Sequence, residues 1–130
     1  MLGDRVPVAI LGTLVHVFAG DRAWLARVRG ESPTSYVSRA DYRIEVLREE
    51  WPRVPAARNE WAEGLTEETA AAPIAYRTIE GKPCTSAAWQ IALHMVNHGT
   101  HHRGQVSGFL RALGHTPPPL DLIRFYRDPA

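Results

Sequence analysis

The sequence is short of cysteine, of long apolar runs and of blocks of like charge, and each shortage removes a class of protein. Cys84 is the sole cysteine, which excludes an internal disulfide framework. The N-terminus lacks the charged-then-apolar layout of a secretory signal, so the cytoplasm is the expected compartment. His16, Gly20, Asp21 and Arg22 interrupt the most apolar stretch before it reaches the roughly 18–20 residues of a membrane helix, and no membrane partner is expected. Fifteen basic and 14 acidic side chains leave a net charge of +1 with no Lys/Arg block. That balance gives no electrostatic footprint for nucleic acid, which is not expected as a partner either.

What is present is 130 residues with 45% apolar content, enough for one domain (1–130) with a core of its own. Large apolar residues from Ile10 to Val28 recur at helical spacing, predicting a helix over Val8–Arg29 that Gly30 stops. A second helical stretch is expected from Ser38 to Gly64, kinked or divided at Pro52 and Pro55. Residues 65–83 read as a connector, in which Ile74–Ile79 followed by Glu80-Gly81-Lys82-Pro83 suits a short extended turn. The longest helical pattern runs from Ser86 to Leu113, ended by Gly114 and three prolines, and a short helix is expected around Asp121–Tyr126. The fold class is all-α.

The chemistry concentrates in histidine. His94, His98, His101 and His102 crowd the predicted 86–113 helix, while His16 stands on the first. At about 100° per residue, Ile91, Met95, His98, His102, Val106, Phe109 and Leu113 form one stripe, so two histidines occupy core-facing positions. A buried imidazole left unpaired costs about 1–3 kcal/mol. Two of them four residues apart, about 6 Å from ring to ring, suit one shared ion. His94 and His101 fall toward the polar edge with Gln90, Asn97 and Gln105. The plainer alternative is that all four histidines form a polar helix edge of ordinary hydrogen bonders. A third ligand must come from elsewhere, and His16 is the best candidate, flanked by the small residues Ala9, Gly12, Ala19 and Ala23. Read alone, a single histidine on a helix is more often a structural hydrogen bonder than a ligand.

The run His94-Met-Val-Asn-His98-Gly-Thr-His101-His102-Arg-Gly-Gln105 resembles the signature of the DinB-like (damage-inducible, YfiT-related) metalloprotein family. Leu14-Val-His16-Val-Phe-Ala-Gly-Asp21-Arg-Ala-Trp24-Leu25 is similar to the family segment that carries its first metal histidine, and Tyr76-Arg77 with Gly81 resembles the connector. The resemblance spans most of residues 10–126, with Ser32–Glu63 alike only in character. It implies a DinB/YfiT-like helical bundle, a three-histidine site at His16, His98 and His102, zinc or nickel as the ion, and a homodimer. Members usually carry another long helix before the first histidine, whereas His16 follows only fifteen residues. The resemblance therefore implies a bundle lacking the usual first long helix, either N-terminally truncated or completed by dimerisation.

Three neutral histidines with open coordination positions suit a Lewis acid. The expected function is a metal-dependent enzyme, a thiol-dependent transferase or a hydrolase, acting on a small molecule with a low-molecular-weight thiol as a partner. The rival is a non-catalytic, stress-related metal-binding or interaction protein with the same ligands. No HExxH motif supplies a carboxylate base, which removes the metalloprotease reading. Asn97, His101, Arg103 and Gln105 are candidates to orient ligands or contact substrate, or to pack the helix. Cys84, 14 residues before His98, is expected to be an incidental thiol. Trp24, Trp51, Trp61 and Trp89 are read as core or interface anchors.

Overall fold

The computed structural model describes residues 7–38 and 42–128. Its long elements are α1 (Val8–Val28) and α5 (Ala88–Ala112), and their pairing dominates the tertiary structure. Each ends on a glycine in the left-handed region, Gly30 (φ 90°) and Gly114 (φ 84°). In both, the N–H beyond the glycine returns to the last turn, Glu31 to Ala26 O and His115 to Leu110 O, the arrangement that only glycine accepts without strain. By length and composition α1 could cross a membrane. Its apolar side is instead spent on the protein's own core, where Val15, Phe18 and Leu25 meet Ile91 and Met95 of α5.

Between the long helices, the expected 38–64 helix is shorter and broken. Residues 42 and 43 are extended, and the helical backbone runs as α2 (Ile44–Glu50) and α3 (Arg53–Glu63); residues 39–41 of that expectation lie outside the described residues. Pro52 makes the division, because it has no N–H to give to the preceding turn. Pro55 does not divide anything: it sits in the first turn of α3, where its N–H would be unpaired in any case. Leu47 and Val54 carry α2 and α3 onto the core, packed by Trp51 and Trp61. Burying a side chain of Leu or Phe size stabilises by about 1.5–3 kcal/mol.

The 65–83 connector is more ordered than its composition suggests. Thr66 and Thr69 cap each other to start α4 (Glu67–Ala71): Thr69 N–H donates to Thr66 Oγ1 at 3.1 Å and Thr66 N–H to Thr69 Oγ1 at 2.8 Å. The fold is thus mostly helical with one antiparallel hairpin, β1 (Pro73–Arg77) with β2 (Pro83–Ala87), in the register Tyr76 opposite Cys84. The hairpin takes Ser86 and Ala87 from the expected start of α5. Gln90 then seals that start, its Oε1 accepting the Ala87 N–H at 2.9 Å. A last helix, α6 (Leu122–Arg127), closes the described chain with no buried residue.

Trp24 stands against His94, Gly20 against His98 and His16 against His102, so α1 and α5 run antiparallel. That register corrects the predicted core stripe. Ile91 and Met95 are buried, but Phe109 and Leu113 are 38% and 49% exposed. Of the tryptophans, Trp89 is not a core anchor; it is 49% exposed on the outer side of α5.

Candidate metal centre

The i, i+4 spacing on α5 puts His98 and His102 on adjacent turns, and the antiparallel crossing of α1 brings His16 against both. Ring centroids are 4.9 Å apart for His16 and His98, and 4.5 Å for His16 with His102 and for His98 with His102. One coordinating atom from each of the three lies within 4.8 Å of the others. Nε2 of His98 and Nε2 of His16 are 3.1 Å apart, one donating to the other. Two nitrogens bound at about 2.0–2.1 Å to one tetrahedral ion stand about 3.3 Å apart. The closest pair therefore already has ligand spacing, and the donor set fits a divalent ion of imidazole preference.

The backbone makes room for this. Gly20 is buried one turn along α1 from His16, and a Cβ there would stand 3.0 Å from Cε1 of His98. Any side chain at position 20 would press on the ring. Gly20 drew attention in the sequence only as a break in an apolar run; its four-residue spacing from His16 was the signal available.

Electrostatics keep the rings uncharged. Burial, and then the neighbouring His102, His16, His94 and His101, lower the His98 pKa to about 4. Burial and His102 lower that of His16 as well. Both rings are neutral at pH 7, as coordination requires. On His102, Nδ1–H donates to Gln105 Oε1 at 2.7 Å, which fixes the ring and turns Nε2 toward the cluster with its lone pair available.

The other candidates separate. His101 is exposed and meets His102 edge-on at 4.8 Å. Asn97 stays exposed on α5. Arg103 folds back along its own helix, with Nη1 only 2.7 Å from where a Cβ of Gly99 would stand, and it lowers the pKa of Asp21. His94 is exposed on the polar edge, as expected, with its ring 5.1 Å from Trp24 and 5.6 Å from His98. Cys84 lies on β2 and lines a separate groove with Gly30, Ser32 and Arg77.

Two buried charges had no sequence signal beyond their position in an apolar helix. Asp21 is 2% exposed, with Arg58 Nη1 4.0 Å from Oδ2 and no hydrogen-bond partner for Oδ1. Burial raises its pKa against the pull of Arg58, Arg103 and His94. Arg27 is 4% exposed and lies over Trp24 at 4.5 Å and Tyr76 at 5.5 Å.

A search among curated proteins gives no significant match. The sequence profile of one family does match, over residues 5–129 and so over nearly the whole chain, with every histidine of the cluster inside it. With three imidazoles gathered where its signature run meets the first helix, this chain belongs to the DinB family.

Proposed function

We propose that the chain holds one divalent ion, zinc or nickel, through His16, His98 and His102, and that it is a metal-dependent enzyme acting on a small molecule, as a thiol-dependent transferase or a hydrolase. One observation carries this reading: three imidazoles from two helices converge, two of them with depressed pKa values, in a cluster that stays open on one side. His16 is exposed and the other two are half-buried, which leaves room for a substrate atom beside the ligands. A divalent ion there supplies Lewis acidity, enough to activate a thiol or a water near neutral pH. The chain's own contribution is positional. Gln105 holds the His102 ring, and the absence of a side chain at Gly20 lets His98 stand between the helices.

Metal analysis tests the ligands. The purified protein should carry about one divalent ion per chain, His98→Ala and His102→Ala should lose it, and His115→Ala should keep it. Equal metal content in all of them overturns the assignment. Thiol transfer to electrophiles, or ester and amide hydrolysis, that stops on chelation and returns with added metal supports the enzyme. Stoichiometric metal with no turnover in either screen favours the non-catalytic metal-binding role. For the protein itself we propose a second copy as partner. Leu122, Ile123, Phe125 and Tyr126 on α6 are between 56% and 78% exposed, more clustered apolar surface than a monomer commonly leaves in water. A monomer by light scattering at micromolar concentration overturns that proposal.

A further inference from the structure

Beside the histidine cluster lies a cleft of about 430 Å³, lined by Trp24, Tyr76, Ser86, Gln90, Ile91 and His94. Trp24 meets Tyr76 and His94 edge-on, each at 5.1 Å. Buried Arg27 lies over both Trp24 and Tyr76, so these rings are held in place before anything binds. His94 is shared between the two sites: its ring contacts Trp24 in the cleft and stands 5.6 Å from His98. A molecule in the cleft is therefore one ring away from the proposed ion.

Besides His94, the polar groups of the cleft can each donate a hydrogen bond. Tyr76 Oη and Ser86 Oγ are 3.0 Å apart; one hydroxyl proton is used between them and the other is free to be given. Gln90 uses its Oε1 on the Ala87 N–H, which leaves its NH₂ group to donate. No carboxylate, lysine or arginine is among the lining residues. Rigid aromatic walls with a few convergent donors select a flat ligand bearing an acceptor oxygen.

We propose that this cleft binds an aromatic carbonyl compound, an aryl amide or aryl carboxylate of one or two rings. The ring lies against Trp24 and Ile91, and the carbonyl oxygen accepts hydrogen bonds from Gln90 Nε2 and the Tyr76–Ser86 hydroxyl pair. The inference rests on the proposed metal function only for what happens to the ligand, not for where it binds.

Ligand-observed NMR with benzamide and benzoate, on metal-loaded and on chelated protein, tests it. Gln90→Glu keeps the acceptor that caps α5 but removes the donor, and Ser86→Ala breaks the hydroxyl pair. The expected result is millimolar binding of at least one probe, weakened about tenfold in Gln90→Glu and severalfold in Ser86→Ala, with cyclohexanecarboxamide weaker than benzamide. Trp24 should give the indole N–H signal that moves on titration. Unchanged affinity in both variants, equal binding of the saturated amide, or no binding of either probe overturns the proposal. Metal content measured on the same samples keeps the two readings apart: probe binding that survives in protein without metal supports the cleft even if the histidines prove not to be ligands.

Discussion

The seam between α1 and α5 carries two polar clusters about a turn apart, and they follow opposite electrostatic logic. His16, His98 and His102 are part-exposed, and burial together with mutual repulsion favours their uncharged form. Asp21 is buried beside Arg58 and Arg103, where burial raises its pKa and the two guanidinium groups resist that rise. At 4.0 Å the Arg58 contact is too long to be a hydrogen bond, and Oδ1 has no partner. A carboxylate so placed is compensated mainly by charge, not by hydrogen bonds. The histidines lose less solvation on folding and stay neutral; the aspartate links α1 to α3 through the Arg58 ion pair. One cluster has the donors and the exposure that could hold a metal ion; the other is enclosed in the frame.

Removing the compensation should show this most strongly. Arg58→Met is expected to destabilise the fold by on the order of 3 kcal/mol, the low end for a broken buried pair because Arg58 is 22% exposed and Arg103 remains. Asp21→Asn should cost clearly less, since it removes the desolvated charge itself. Urea denaturation measures both, and an equal loss would mean that Asp21 is not held by charge. Neither variant should change metal stoichiometry. If Arg58→Met strips the metal, the two clusters are one unit and the contrast fails.

The reverse pattern is expected at the histidines. Gln105→Leu frees the His102 ring and should weaken metal affinity by about 10–100-fold with little change in the stability of the chelated protein. Competition with a chromophoric chelator reads the affinity. Gly20→Val places a side chain where a Cβ would already stand 3.0 Å from His98. It should weaken metal binding by about tenfold, roughly 1.4 kcal/mol. A larger fall in melting temperature than in affinity would show that Gly20 serves packing instead.

The smallest effect is in pH, where the clusters differ in sign. His98 and His16 have folded pKa values below the unfolded 6.5, so the unfolded chain binds more protons there. Their contribution to the stability of chelated protein is full above pH 6.5 and is lost as pH falls toward about 4. Asp21, with a folded pKa raised above 3.8, contributes the opposite slope: stability declines as pH rises from 3.8 through its folded value. Thermal melts of chelated protein from pH 7 to 4 should therefore fall more steeply in Asp21→Asn than in the parent. Parallel profiles would remove Asp21 from the balance.

How much of this was legible beforehand depended on whether a feature is local. The 3.6-residue period placed His98 and His102 on one stripe of α5, and the glycines after α1 and α5 marked both helix ends. Gln105, three residues from His102, was within reach of the same reasoning. His16 was less so: the small residues around it made it the best third candidate, but its support came mainly from the family resemblance. Nor did spacing separate Arg103, which folds back over Gly99, from Gln105, which turns to His102. The hairpin was seen as a turn, but α4 was missed because its caps are threonines in a polar stretch with no apolar period.

The sequence by itself determined the two long helices, the glycine stops that follow them and the family, because those follow from periods, caps and a contiguous run of residues. Tertiary structure alone decided that α1 crosses α5 with His16 opposite His102 and Trp24 opposite His94. Distances between residues so far apart in the chain depend on helix register, and register is set by how buried side chains interlock. The same crossing leaves Phe109 and Leu113 in solvent while enclosing Asp21 and Arg27. Hydropathy assigns those four the other way round, since burial belongs to the neighbours a residue acquires and not to the residue alone.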